Sequence, residues 1–350
     1  MSRPTVNDIA RAAGVSLATV DRVLNARPGV REKTILRVNE AIDRLGYVRD
    51  VAAANLARRR NYCAAYVLPD SPTAFMTTLA EAIASTSAHA LFDRTTVRVV
   101  RVPAFDSTAY VRALDSLAGS GCDGIALMAP ETPQVRDAIR RATEAGVAVV
   151  ALVSDQPHSA RHHFVGIDNV RAGRTAAMLL GRFAARPEGR VLVLAGSMML
   201  RDHMERRLGF DAIMREQFPG MTVLPTVEAR DDSQAVRRLL PLALAEHGPI
   251  DAIYSIGAGN RGLVEALDDL GLGAALTVVA HDLTPTMRRG LESGVIDAVI
   301  TQDVGHMVRS ALRVLRARSE RLPIDPGQEQ IRIEILIREN LPQDRAAATT

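Results

Sequence analysis

The sequence predicts an α/β protein with a small three-helix head and a body of doubly wound parallel sheets. Three observations predict it. Residues 5–24 read as two short helices joined by a glycine turn. From residue 61 onward, short apolar runs alternate with amphipathic helical patterns. Charge is divided between the two parts. Residues 1–60 hold 12 Lys+Arg and 6 Asp+Glu, a net of +6, and the remainder carries a net of −3.

A chain of 350 residues exceeds one core and suits two or three domains. Hydrophobic residues at 47% and charged residues at 24% give an ordinary globular balance. Apolar runs fall short of the roughly 18 residues a membrane span needs, so no membrane partner is expected. Met1-Ser2-Arg3-Pro4-Thr5 leads into a polar, periodic segment, which argues against secretion. Cys63 and Cys122 form neither a disulfide framework nor a C-x-x-C metal pattern. The expected location is the cytoplasm, with no metal and no cofactor. The basic end suggests a polyanion partner.

In the head, Thr5 and Asp8 match the S/T-x-x-D/E cap that satisfies free donors at a helix start. Val6, Ile9, Ala10 and Ala13 share one face, and Gly14 stops the helix. Ser16 caps the next helix, Leu17 to Leu24. A third helix, about 32–45, offers Ile35, Val38, Ile42 and Leu45 to close the core. The second helix is the expected reader of DNA. Leu17, Ala18 and Arg22 project on one face, and Arg22 suits bidentate pairing with guanine. Ser16, Thr19 and Asn25 are placed to hold phosphates.

The run Thr5-Val6-x-Asp8-Ile9-Ala10-x-x-Ala13-Gly14-Val15-Ser16-x-x-Thr19-Val20-x-Arg22-Val23-Leu24-Asn25 resembles the headpiece of the lac repressor family. So do Leu45-Gly46-Tyr47 and Ala53-x-x-Leu56-Ala57. The resemblance implies a headpiece over 1–49 and a hinge helix and linker over 50–60. Ala53, Leu56 and Ala57 would then contact DNA, with Leu56 wedged into the minor groove. The family usually has Ser where this chain has Asp21, an acid that can accept from cytosine or repel phosphate. It often has Pro-Asn where this chain has Arg49-Asp50.

In the body, expected strands are 63–68, 96–102, 124–128, 147–153, 164–167, 190–194, 252–256, 276–280, 298–301 and 331–337. Helical patterns such as 109–118, 133–145, 171–184 and 203–216 lie between them. Ligands on such sheets sit beyond the carboxyl ends of the strands.

This body resembles the periplasmic-binding-protein-like effector domain of the same family. The resemblance implies two lobes, 61–160 plus 286–322 and 161–285 plus 323–340, with a polar tail over 341–350. It also implies a ligand between the lobes. Arg171 matches the family's hydroxyl-clamping arginine, Asp282 its cleft aspartate and Gln302 a cleft glutamine. The family's Asn-Asp in one loop is Ala258-Gly259 here, leaving Asn260 as the substitute. Asp155 and Arg161 sit near the cleft by position. Phe75, after the first strand, is placed to stack on a sugar face. Asp168 ends a strand, where an aspartate is also a common helix cap. Aspartate and arginine suit polyols, because each holds two adjacent hydroxyls. The implied ligand is a sugar or polyol, and the implied assembly is a homodimer on palindromic operator DNA.

A competing pattern is Gly257-Ala258-Gly259-Asn260-Arg261-Gly262, which fits the G-x-G-x-x-G of nicotinamide-binding folds. Asp282, twenty residues later, stands where a ribose-binding acid belongs. That reading makes the chain an NAD-binding enzyme or redox sensor. Other catalytic signatures (G-x-S-x-G, H-E-x-x-H, the P-loop) do not occur.

Overall fold

The computed structural model describes residues 4–24, 28–45, 61–91, 94–230, 232–257, 259–273 and 275–343. The chain divides into two compact units, Met1–Arg60 and Asn61–Thr350.

The head holds α1 (Val6–Ala13), α2 (Leu17–Leu24) and α3 (Glu32–Leu45). Thr5 N and Thr5 Oγ1 both donate to Asp8 Oδ2, at 2.9 and 2.7 Å, so the cap is formed. Gly14 ends α1 with φ 62°, a left-handed backbone that favours glycine. The Thr19 amide donates to Ser16 Oγ at 3.2 Å, which starts α2. Ile9, Ala10, Ala13, Val20, Val38 and Ala41 form the core. Ile35, expected in that core, is exposed, and Ala41 takes the place on the inner face of α3. The proposed hinge segment, with Ala53, Leu56 and Ala57, lies outside the described residues, as does Asn25.

The body begins with β1 (Tyr62–Asp70), α4 (Ala74–Ala90), β2 (Thr95–Pro103) and α5 (Ser107–Gly119). Next come β3 (Gly124–Leu127), α6 (Pro133–Glu144), β4 (Ala148–Leu152) and β5 (His163–Val165). These strands form one parallel sheet in the order β2-β1-β3-β4-β5. The chain continues through α7 (Asn169–Phe183), β6 (Gly189–Ala195), α8 (Arg201–Gln217), β7 (Met221–Glu228) and α9 (Ser233–His247). It then forms β8 (Ala252–Ser255), α10 (Asn260–Asp269), β9 (Thr277–His281), α11 (Pro285–Ser293) and β10 (Ala298–Thr301). Last are α12 (Val304–Glu320) and β11 (Glu334–Leu336). The second sheet runs β11-β10-β9-β8-β6-β7, with β11 antiparallel to β10 and the other pairs parallel. The central strands β3, β4, β8 and β10 are buried throughout, as strands covered by helices on both faces must be.

Two lobe assignments need correction. Residues 286–303 were expected on the first lobe, yet β10 pairs with β9, Ala298 opposite Val279. The helix α11 is simply the crossover between these adjacent parallel strands. The element that returns to the first lobe is α12, where Tyr66 Oη donates to Val308 O at 2.9 Å. Conversely, β5 was placed in the second lobe but joins the first sheet, Val150 opposite His163. Strand β7 escaped the sequence reading altogether. Pro225 interrupts its pattern, and the ladder to β6 shifts register there, with Val223 and Thr226 pairing on either side. Proline is tolerated at such an irregular edge.

Candidate functional site

In the head, Leu17, Ala18, Asp21 and Arg22 form an exposed face of α2, while Val20 turns into the core. That spacing, i, i+1, i+4 and i+5, is one stripe of a helix. Thr5 and Ser16 are exposed at the two helix starts, and the Ser16 and Thr19 hydroxyls lie 2.9 Å apart. Arg22 leads the charge of that stripe.

In the body, both sheets repeat one strand order, apart from the added β11, and their carboxyl ends face a common cavity of about 80 Å³ that is partly open to solvent. Loops after β1, β2, β3 and β4 supply Ser71, Phe105, Met128 and Ser154. Loops after β8, β9 and β10 supply Gly257, Asp282 and Gln302. The first turns of α8 add Asp202, His203 and Arg206. The first lobe's wall is mostly apolar, with Phe75, Met76, Phe105 and Met128. The second lobe's wall is polar.

The polar wall is built around Arg206, which is 2% exposed. Its Nε donates to Asn169 Oδ1 at 2.8 Å and its Nη1 to Ile256 O at 2.7 Å. Two glycines make this placement possible. A Cβ on Gly173 would lie 1.8 Å from Arg206 O, and one on Gly209 would lie 2.0 Å from Val170 O. Helices α7 and α8 therefore cross with their backbones in contact, and Arg206 is delivered beside Asn169. Burial raises the Asp282 carboxyl above the ordinary aspartate value, opposed by the Arg206 guanidinium and by a hydrogen bond from Gln302. Beneath them lies His281, whose Nε2 is 2.9 Å from Tyr254 Oη. Burial holds His281 well below the ordinary histidine value, helped by Arg206 and His203. Phe105, Val153 and Asp282 all line the cavity with φ between 65° and 67°. Such non-glycine conformations cost about 1–3 kcal/mol each and gather at functional sites.

Of the residues expected at the cleft, Phe75, Asp282 and Gln302 line the cavity. Arg171 does not. It is exposed on the first turn of α7 and pairs with Asp168 at 3.2 Å. Asp168 caps that helix, its Oδ1 accepting from the Arg171 amide at 2.9 Å. Asn260 spends its side chain on the scaffold, accepting from Ser255 Oγ at 2.7 Å and donating to His281 O at 2.8 Å. Asp155 and Arg161 clasp each other in the β4–β5 loop through two bonds. The sequence reading missed Asp202, His203 and Arg206. Their signal is a polar stripe at i, i+1 and i+4 of a helix whose next turn holds Gly209 and the buried Phe210.

The glycine-rich loop has a packing role. A Cβ on Gly262 would lie 2.0 Å from Ser233 O, and one on Gly259 would lie 2.4 Å from Val236 Cγ2. These glycines let α10 pack against α9, which accounts for the dinucleotide-like pattern without a nucleotide. Among the described residues, no cluster of His, Cys, Asp and Glu is arranged to hold a metal. Nor is any helix among them long and apolar enough to cross a membrane.

Comparison with known proteins agrees with this architecture. Residues 64–320 match the family of periplasmic binding protein domains, and residues 5–50 match bacterial regulatory proteins of the lacI family. Catabolite control protein A of Streptococcus mutans is 31% identical over 179 residues, 51% of this chain and 51% of that protein. Its counterpart in Priestia megaterium is 40% identical over 79 residues, 23% of this chain and 24% of that one. The chain thus spans half or less of the length of these curated relatives. A solute-binding protein of an ABC transporter from Burkholderia graminis, in complex with D-arabinose, superposes with a TM-score of 0.72 at 22% identity. The superposition covers 80% of this chain and 96% of that one. A glucose-galactose binding protein from Geobacillus stearothermophilus gives a TM-score of 0.72 at 18% identity, over 81% and 100% of the two chains. At these identities the likeness concerns the fold. The matched families and folds are those of binding and regulatory proteins, not of enzymes. The chain belongs to the family of periplasmic binding protein domains, which spans residues 64–320, and carries ahead of that domain a helical head similar to those of lacI-family regulatory proteins.

Proposed function

We propose that this protein is a cytoplasmic transcription regulator, a homodimer that binds palindromic operator DNA and releases or grips it according to a small ligand. The ligand is a sugar or polyol held between the lobes. One observation carries the reading: a cavity at the strand ends of both lobes, walled by apolar side chains on one side and hydrogen-bonding groups on the other. Carbohydrates present the same two faces. The names of the solute-binding relatives, with their bound arabinose, tagatose and allose, support the same ligand class. The basic head and the exposed stripe Leu17-Ala18-Asp21-Arg22 support DNA as the second partner. Ser16, Thr19 and Asn25 would hold phosphates, Thr5, Ala53 and Ala57 would contact DNA, and Leu56 would wedge into the minor groove. Closure of the cleft around ligand would shift the lobes, and DNA affinity would follow by linkage.

The test is selection of a binding sequence from random duplexes, followed by fluorescence anisotropy with and without sugars. A palindromic consensus whose affinity changes with one sugar supports the reading. Binding without sequence preference, or preference that no small ligand alters, overturns it.

A further inference from the structure

We infer that the cavity selects a polyhydroxy ligand free of negative charge and discriminates against the phosphate ester of that same ligand. This rests on the proposed reading of the cavity as the effector site. Two independent observations carry it.

The first is the charge count. Two carboxyl groups, Asp202 and Asp282, line the cavity with one guanidinium, Arg206, and one imidazole, His203, which faces Asp202 at 3.9 Å; among the described residues no other arginine or lysine lines it. Arg206 is already committed through Nε and Nη1 to Asn169 and Ile256. A phosphate monoester brings about −1.5 to −2 charges at neutral pH. Placed here, it would meet two acids and share a partly occupied arginine in a site where the surrounding protein weakens the screening of the repulsion by water.

The second is the sign of the hydrogen bonds still to be made. Asp202 Oδ1 and Gln302 Oε1 are buried and have no hydrogen-bond partner. Their side chains belong to residues 5% and 4% exposed. Both atoms are acceptors, so the ligand must bring donors. Hydroxyl groups donate; the oxygens of an ionised phosphate do not. The opposite wall, with Phe75, Phe105 and Met128, offers area to a sugar's C–H face and no charge at all.

The experiment uses the full chain and matched compounds: D-arabinose, D-ribose, D-glucose, D-galactose, sorbitol and myo-inositol, each beside its phosphate ester. Thermal shift identifies binders, and calorimetry gives their Kd. The expected result is at least one free compound that binds, with its ester at least tenfold weaker. The isosteric Asp202→Asn variant should narrow that ratio. An ester that binds as tightly as its parent overturns the inference and leaves the effector-site reading standing. An unchanged ratio in Asp202→Asn overturns it in the same way. A panel without any binder removes the sugar-site reading itself, and the inference falls with it.

Discussion

Arg201 Nη1 lies 2.7 Å from Glu131 Oε2, joining the first turn of α8 on the second lobe to the loop after β3 on the first. Its Nε lies 2.7 Å from Glu205 Oε1. All three side chains are between 20% and 27% exposed, at the rim of the cavity. The pair ties the two lobes together beside the cavity-lining residues Pro130 and Leu200, so on the proposed reading it favours the closed arrangement of the lobes. Partly exposed pairs contribute about 0.2–1 kcal/mol. Glu131→Gln should therefore weaken ligand binding by about 1.4- to fivefold, with a melting temperature close to the parent's. Calorimetry at two salt concentrations checks it: the loss should shrink at high salt. Unchanged affinity at low salt would remove the latch.

Arg206 and Arg171 should separate cleanly. Arg206→Met leaves Asn169 Oδ1 unpaired in a buried place, a penalty of about 1–3 kcal/mol. Its melting temperature should fall and its ligand response vanish. Arg171→Ala touches only an exposed pair, so both stability and ligand affinity should stay within error. Ligand loss in Arg171→Ala would restore the arginine that the family resemblance points to.

Asp282→Asn should stabilise the ligand-free protein while weakening ligand binding. The folded carboxyl titrates above its unfolded value because burial disfavours its charge. For an acid shifted upward, the unfolded chain loses its proton first as pH rises. The cost is absent at acid pH, grows through the folded pKa and is complete above it. The variant's gain in melting temperature should thus be largest near neutrality and disappear in acid. A gain independent of pH would point to packing instead.

Gly173→Ala places a methyl 1.8 Å from the Arg206 carbonyl, which is helix backbone and cannot step aside. The α7–α8 crossing must open, carrying Arg206 with it. Overpacking of this kind costs about 1–3 kcal/mol. The expected signature is a lower melting temperature together with lost ligand response, while sequence-specific DNA binding survives. A stable variant with normal ligand affinity would refute the close crossing.

In the head, Arg22→Ala should cost about 1–3 kcal/mol of operator affinity and relax one base position. Thr5→Ala removes the cap on α1 and should cost about 1 kcal/mol of head stability without changing base preference. Binding-site selection tells the two apart.

The helical head was legible because its signals are local. A capping pair at 5 and 8, a glycine at 14 and a serine at 16 specify helix ends within a few residues. Most strands were legible as apolar runs between helical patterns. The failures share a cause, which is that register and lobe membership depend on partners distant in sequence. Pro225 hid β7, although an edge strand has room for it. The step from β9 through α11 to β10 looks the same in sequence whether the chain stays on one sheet or changes lobes. Of the residues that line the cavity, Asp282 and Gln302 were legible in the sequence because they end strands. Arg206 was not, since it projects from a helix whose importance lies in a backbone crossing with α7. Asp168, Arg171 and Asn260 have suitable chemistry at suitable positions, but each is occupied in capping or tying the scaffold.

Because each sheet offers the same ends of its strands to the shared crevice, the proposed sugar-site reading divides ligand choice between two semi-autonomous tables of loops. One supplies a greasy floor and the other a set of hydrogen-bonding pins. Changes in the pins can retune which hydroxyls are read while the floor keeps its grip on the ring, and changes in the floor can alter ligand size without disturbing the pins. The duplicated topology therefore makes new specificities reachable by a few substitutions on one side, without passing through a protein that binds nothing.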